Sequence, residues 1–144
     1  MRIEGRWLVC DDGVMRPVIS GEIRAANGSW EKNEFLVDTG ADRMVFSAAT
    51  LARLGLQPFT MHEGLSGVGG MVTAVIVDTR VRLTREDAGK VVFRGQYAAV
   101  TALEALDISV LGRDITGLFA VIVDRSHDVV CLLRQRHRYS IEQD

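Results

Sequence analysis

The stretch FLVDTGAD at residues 35–42 decides how the rest of the chain is interpreted. Its first three residues predict a buried strand that ends at Asp38, and Gly40 permits a sharp reversal of the backbone. A carboxylate in that position is anchored by the core and partly removed from water, while neighbouring backbone N–H groups can turn towards it. Asp, Thr and Gly are also common turn residues, so a simple turn is the alternative interpretation.

Two other apolar runs end in an aspartate and serve as internal comparisons. Residues 74–80 read AVIVDTR and residues 120–126 read AVIVDRS, which places Asp78 and Asp124 after strand-like segments. Neither aspartate is followed by Thr and then Gly, as Asp38 is. We interpret Asp78 and Asp124 as turn residues at strand ends.

The size and charge of the chain fit one globular domain. It has 144 residues, of which 47% are hydrophobic and 25% charged, and its formal net charge is −2. We therefore predict a single domain over residues 1–144, with residues 1–16 as an N-terminal strand or extension and residues 134–144 as a C-terminal tail. The near-neutral charge gives no indication of nucleic-acid binding.

The sequence also bears on the location of the protein in the cell and on whether it binds a metal or cofactor. No apolar run approaches the roughly 20 residues that span a bilayer, and the first residues lack the apolar region of a signal peptide. Cys10 and Cys131 are the only cysteines in the sequence, and they have no metal-ligand spacing. These features predict a cytoplasmic protein with no membrane association, no metal and no cofactor.

Short apolar or alternating runs broken by Gly, Asp and Asn predict a β-rich fold. The predicted strands are 7–10, 18–24, 31–37, 72–77, 80–84 and 91–100, with turns at 26–29 and 85–90 and a closing hairpin over 120–133. One helix is predicted over residues 48–54, with Ser47 as its N-cap and Gly55 as its terminator. A second short helix is predicted to begin near Arg113.

Two further motifs follow the first along the chain. GLSGVGGM at residues 64–71 places four glycines among eight residues, which is typical of a hairpin tip whose backbone approaches a ligand. A flexible hairpin without a ligand is the alternative. VLGRDI at residues 110–115 puts Asp114 at the positive end of a predicted helix and leaves Arg113 able to pair with a carboxylate.

In their order and spacing, LVDTGAD, GVGG and LGRD resemble the motifs of the retropepsin-type aspartic proteases, a family that includes the retroviral proteases and their cellular and bacterial relatives. The resemblance extends from about Val18 to Leu133. It implies a mainly β fold, a small closed β-barrel of the retropepsin type with one or two short helices. The helix at residues 47–54 is a feature of the cellular and bacterial relatives.

The resemblance also implies a role for each residue of the three motifs. Asp38 would be the catalytic aspartate, and Thr39 would form hydrogen bonds between two subunits that lock the catalytic loops. Gly40 and Ala41 would support the loop, and Gly40 and Asp42 would contact substrate. The remaining roles are substrate binding by the flap residues Gly67, Val68, Gly69, Gly70 and Met71, and bracing of the loop by Asp42, Val110, Leu111, Gly112 and Arg113.

The single Asp-Thr-Gly motif predicts a homodimer. Aspartic proteolysis uses two carboxylates that share a water molecule, and this chain carries the motif once. The second aspartate must then come from another copy of the chain, which gives an endopeptidase acting on a peptide or protein substrate. Arg43 stands where the viral enzymes often carry another acid, so the polarity of the substrate groove is expected to differ.

Other interpretations remain open at this point. The main one is a catalytically silent dimerisation or peptide-binding module with the same fold. An unrelated small β-barrel that holds a ligand would leave Asp38 as a turn residue and predicts a monomer. A regulated form would have residues 1–16 covering the groove. An enzyme cut from a viral polyprotein is disfavoured because the chain begins with Met and shows no processing site.

Overall fold

The structure is a computed structural model that describes residues 1–67 and 70–134, with residues 60–67 described by their backbone alone. The helices are α1 (Ala48–Leu54) and α2 (Arg113–Thr116). The strands are β1 (Arg2–Glu4), β2 (Arg6–Val9), β3 (Met15–Arg24), β4 (Trp30–Val37), β5 (Val45–Phe46), β6 (Thr60–Gly67), β7 (Gly70–Thr84), β8 (Lys90–Val100), β9 (Ser109–Leu111), β10 (Ala120–Asp124) and β11 (Val129–Leu133).

Most strands belong to one large sheet. Its order is β2-β3-β4-β9-β5-β8-β7-β6, and β3 also pairs with β7. That extra pairing means that the succession β3-β4-β9-β5-β8-β7 returns to β3, so six strands form a ring of neighbours. The predicted mainly β fold class is confirmed.

A smaller sheet joins the two ends of the described chain. Its order is β1-β11-β10, with Ile3 opposite Leu132. Ile3, Val130 and Leu132 are all buried, which fixes this sheet to the core. Residues of the predicted N-terminal segment are thus paired in two places, because β1 lies against β11 and β2 against β3. Of the predicted C-terminal tail, residues 135–144 lie outside the described part of the chain.

The last residues of β4 are part of the hydrophobic core. Phe35 of β4 packs near Phe46 with ring centroids 6.5 Å apart, and Phe46 lies 5.5 Å from Tyr97. Burial raises the pKa of the Tyr97 phenol to about 12, and its hydroxyl donates to the Phe93 carbonyl at 3.1 Å. The strand that ends at Asp38 is therefore held by a packed aromatic cluster.

Helix α1 begins and ends where the sequence predicts. The Ser47 hydroxyl oxygen accepts a hydrogen bond from the Thr50 N–H at 3.2 Å, and Gly55 adopts a left-handed conformation with φ of 61°. Buried hydrogen bonds then tie the helix to the sheet. The Thr50 hydroxyl donates to Asn33 Oδ1 of β4 at 2.8 Å, and Ser109 Oγ of β9 accepts from the Ser47 N–H at 3.0 Å.

One predicted break in the sheet is wrong. The two strands expected at 72–77 and 80–84 form the single strand β7, and Asp78 lies inside it opposite Gln96 rather than in a turn. Asp78 and Arg80 are exposed while Thr79 is buried, so the polar residues mark the exposed face of one alternating strand. Asp124 does lie at a turn, where its carboxylate accepts from the His127 N–H at 3.1 Å.

Candidate active site

The strand order around β9 determines where Asp38 emerges. Strand β9 lies between β4 and β5, parallel to β4 and antiparallel to β5. Val37, the last residue of β4, is opposite Leu111, the last residue of β9. The Asp38 N–H donates to the Leu111 carbonyl at 3.2 Å, so the first residue after β4 is still held by β9.

Asp38 begins a tight loop and is half-buried. Its Oδ1 accepts a hydrogen bond from the Gly40 N–H at 2.9 Å, and its carbonyl accepts one from the Ala41 N–H at 3.2 Å. Among the described residues no group donates to Oδ2. One carboxylate oxygen is thus held in place by the loop, while the other keeps its capacity to accept or carry a proton.

Arg113 connects this loop to the start of α2. Its Nη1 donates to the Thr39 carbonyl at 2.9 Å and more weakly to the Gly40 carbonyl at 3.4 Å, and its Nη2 pairs with the Asp42 carboxylate. The Arg113 backbone N–H donates to the Ala41 carbonyl at 2.8 Å. A single residue therefore contacts four consecutive positions of the loop, through both its side chain and its backbone.

Asp114 is a structural member of this site that sequence reasoning did not assign to it. Both of its carboxylate oxygens accept from the Met44 N–H, at 2.8 and 2.9 Å, and Oδ1 also accepts from the Ile115 N–H at 3.0 Å. Its backbone N–H donates to the Asp42 carbonyl at 3.2 Å. The available signal was an acid in the first turn of a helix, which predicts the local bond but not the bond to Met44.

Gly112 permits the close approach of these two segments. A Cβ built on Gly112 would lie 2.3 Å from the carbonyl carbon and oxygen of Arg43, closer than real Cβ atoms come. Its φ of −90° is open to any residue, so the glycine is required by space and not by backbone conformation. Val110 and Leu111, which precede it, are buried.

The glycine-rich motif forms the end of the β6–β7 hairpin. Gly67 pairs with Gly70, whose φ is 104°, and Met71 is 72% exposed. The predicted flap residues Val68 and Gly69 lie outside the described residues. The structure thus brings together Asp38, Thr39, Gly40, Ala41, Asp42, Val110, Leu111, Gly112 and Arg113, and places Gly67, Gly70 and Met71 on a different hairpin.

Two kinds of feature are absent from the residues that the structure describes. Across residues 1–67 and 70–134, no group of three His, Cys, Asp or Glu side chains has the arrangement of a metal site. In the same part of the chain, no helix has the length and apolar character needed to cross a membrane.

Comparison with protein families identifies the chain. The family described as "Aspartyl protease" matches residues 19–115, about two thirds of the 144 residues, and the match includes all three motifs. The chain belongs to the aspartyl protease family. Family membership makes it a peptidase, and no curated protein sequence matches this aspartyl protease significantly.

Solved structures show which type of fold this family member has. It is similar to a retropepsin-like aspartic protease from Rickettsia conorii, with 20% identity, a TM-score of 0.55, and coverage of 92% of this chain and 88% of that one. It also matches the EIAV protease complexed with the inhibitor HBY-793, at 26% identity and a TM-score of 0.49, over 71% of this chain and 86% of that one. The predicted resemblance to retropepsin-like aspartic proteases is confirmed.

Proposed function

We propose that this aspartyl protease is an endopeptidase that acts as a homodimer, with Asp38 of each chain forming the catalytic pair. The observation that carries the proposal is the setting of Asp38, a half-buried carboxylate at the end of a core strand with one oxygen held by Gly40 and the other without a donor among the described residues.

The second copy is required by the chemistry of the reaction. Two carboxylates at close range cannot both ionise at low cost, so they share one proton over a range of acidic pH. The ionised carboxylate accepts a proton from water, whose oxygen attacks the scissile carbonyl, while the protonated carboxyl donates its proton to the carbonyl oxygen. The resulting diol collapses as a proton passes to the amine nitrogen and the C–N bond breaks. The sequence of one chain carries the Asp-Thr-Gly motif once, so one chain supplies one such carboxylate.

One groove in the described part of a single chain lies outside the Asp38 loop, which fits a substrate groove that two chains share. A groove of about 1150 Å³ lies beside β4 and β9 and is lined in part by Leu36, Ile108 and Val110. Asp38 is not among the residues that line it. In the proposed dimer, the second chain and the β6–β7 hairpins complete the enclosure around the two aspartates, and an extended peptide lies in it like an added strand.

The bracing by Arg113 gives the proposed catalytic loop a defined position. Carboxylates that share a proton must be held at a fixed separation, because their coupling falls with distance. The Arg113 contacts with Thr39, Gly40 and Asp42 restrain the loop in each chain. We assign Arg113 a positioning role rather than a direct part in the reaction.

The first test replaces Asp38 by Asn and measures cleavage of denatured casein and of a peptide library between pH 4 and 7. Asp38→Asn is expected to abolish cleavage and to keep the circular dichroism spectrum of the wild type. Asp128→Asn is the matched control, because Asp128 is exposed in the β10–β11 turn and has a φ of 57°, which asparagine tolerates. Full activity of Asp38→Asn would contradict the assignment, and an inactive wild type would favour the silent binding module.

A mixing experiment tests whether two chains form one site. Wild type and Asp38→Asn are unfolded together and refolded at different ratios. If each site needs two Asp38 residues, a ninefold excess of the variant lowers the activity per wild-type chain to about one tenth, because most wild-type chains then have an inactive partner. Activity that stays proportional to the wild-type concentration would show that one chain is sufficient.

A further inference from the structure

Three arginines lie side by side on the outer face of the large sheet. Arg80 of β7 is directly opposite Arg94 of β8. On the other side of β7, Ile23 of β3 pairs with Val81, so the antiparallel register continues to place Arg24 beside Arg80. All three side chains are exposed. We call Arg24, Arg80 and Arg94 the arginine row.

The arginine row carries more positive charge than the described residues around it neutralise. In the part of the chain that the structure describes, no carboxylate forms an ion pair with any of the three. The next row of the same sheet differs, because Glu22 accepts two hydrogen bonds from Arg82, at 2.7 and 3.0 Å, and also pairs with Lys90 at 3.3 Å. Like charges directly opposite each other destabilise a sheet, so the arginine row has an energetic cost that its neighbour avoids.

The arginine row lines a concave site. The site has a volume of about 430 Å³, and its other lining residues include Ala25, Leu56, Asp78 and Thr79. Thr79 is buried and its hydroxyl donates to the Arg24 carbonyl at 2.7 Å, which fixes β3 against β7 at this point. Asp78 is the one carboxylate among the lining residues that the structure describes, so the three arginines exceed the negative charge there by two.

Trp30 restrains one member of the row. The Arg24 guanidinium lies 5.3 Å from the centre of the Trp30 ring, which also faces Arg82 at 4.1 Å. A guanidinium placed against an aromatic face loses less conformational entropy on binding a ligand. The other two arginines are held at their Cα atoms by the paired strands, about 5 Å apart.

We propose that the arginine row is a binding site for a small phosphate-type dianion, separate from the Asp38 site. Its two uncompensated positive charges match the charge of a phosphate group, and the planar fork of each guanidinium fits phosphate oxygens. The cavity of about 430 Å³ has room for inorganic phosphate or for a small organic phosphate. The ligand contacts β7, the strand that also carries Gly70 and Met71 of the glycine-rich hairpin.

The test is a titration of the full chain with inorganic phosphate, followed by NMR or calorimetry against chloride at equal ionic strength. Saturable binding is expected with a dissociation constant of about 1 mM or lower. Arg80→Gln and Arg94→Gln are each expected to weaken binding by about tenfold. Arg125→Gln is the matched control, since Arg125 is an exposed arginine in the β10–β11 turn, and this variant is expected to bind as the wild type does.

Two further measurements separate a specific site from a general salt effect. Asp78→Asn removes the carboxylate from the site and is expected to tighten phosphate binding. Without phosphate, Arg80→Gln is expected to melt at a higher temperature than the wild type, because one like-charge pair is removed, so the variant folds. No saturation by about 10 mM phosphate, or equal binding by wild type and Arg80→Gln, would overturn the proposal.

Discussion

Replacing Arg113 by Gln is expected to lower the proteolytic activity strongly and the thermal stability only slightly. The substitution removes the ion pair with Asp42 and the hydrogen bonds to the Thr39 and Gly40 carbonyls, but keeps the bond from the residue-113 N–H to the Ala41 carbonyl. The loop therefore stays folded while its position relaxes. The proposed carboxylate pair depends on that position.

The two magnitudes follow from exposure and geometry. The side chains of Arg113 and Asp42 are 53% and 80% exposed, and an ion pair that open to solvent contributes about 1 kcal/mol or less. Thr39 and Gly40 are also exposed, so water replaces the two lost hydrogen bonds to their carbonyls at little cost. For a chain of this length the corresponding loss in melting temperature is about 4 °C at most. A displacement of about 1 Å in a catalytic group can cost roughly 100-fold in rate. We therefore expect kcat/KM to fall about 100-fold with little thermal destabilisation.

The assay combines a thermal melt with steady-state cleavage of one peptide substrate. Arg85→Gln is the matched control, because Arg85 forms a comparable exposed pair with Asp87 in the β7–β8 turn. It is expected to keep full activity. The kcat/KM of Arg113→Lys is expected to lie between those of the wild type and Arg113→Gln, since one ammonium group cannot reproduce the planar fork of a guanidinium. Unchanged activity of Arg113→Gln, or a loss fully explained by unfolding, would refute the positioning role.

Two further predictions concern stability. Asp114→Ala leaves the N–H of buried Met44 without its acceptor. It is expected to lower the free energy of unfolding, measured by urea titration, by about 2 kcal/mol. Asp114→Asn is expected to recover part of that loss, because its side-chain oxygen can still accept. Hydrogen bonds from Arg82, together with Lys90, hold the pKa of Glu22 below its ordinary value of 4.5. The stability that ionised Glu22 adds to the folded protein is therefore fully present above pH 4.5 and is lost as pH falls through the lowered pKa. Glu22→Gln should therefore be less stable than the wild type at pH 7, with a difference that shrinks in acid; a pH-independent difference would contradict this.

The parts of the fold that the sequence predicts well have local causes. Helix α1 follows from the Ser47 side chain and the left-handed Gly55, which act within one turn of the helix ends. The turn at 26–29 follows from Asn27 and from Gly28, whose φ is 87°. In each case the residues that determine the structure are neighbours in the sequence.

The parts that sequence reasoning missed depend on distant contacts. The Asp114–Met44 hydrogen bonds connect residues 70 positions apart, and nothing near Asp114 indicates that partner. The apolar run that ends in Asp78 predicts a turn there, but the place of Asp78 inside β7 depends on pairing with β8. The motifs predicted which residues form the candidate site, but the closeness of Gly112 to Arg43 required the structure.

The pairing of β1 with β11 has a consequence for synthesis on the ribosome. Residues 2–4 find their partners at residues 131–133, so β1 must wait until β11 has been made. At about 5–20 residues per second, this delay is of the order of ten seconds. During that time Ile3, which is 1% exposed in the folded chain, lacks its β11 neighbours and cannot be fully buried. Completion of the small sheet therefore has to follow translation of the residues up to 133.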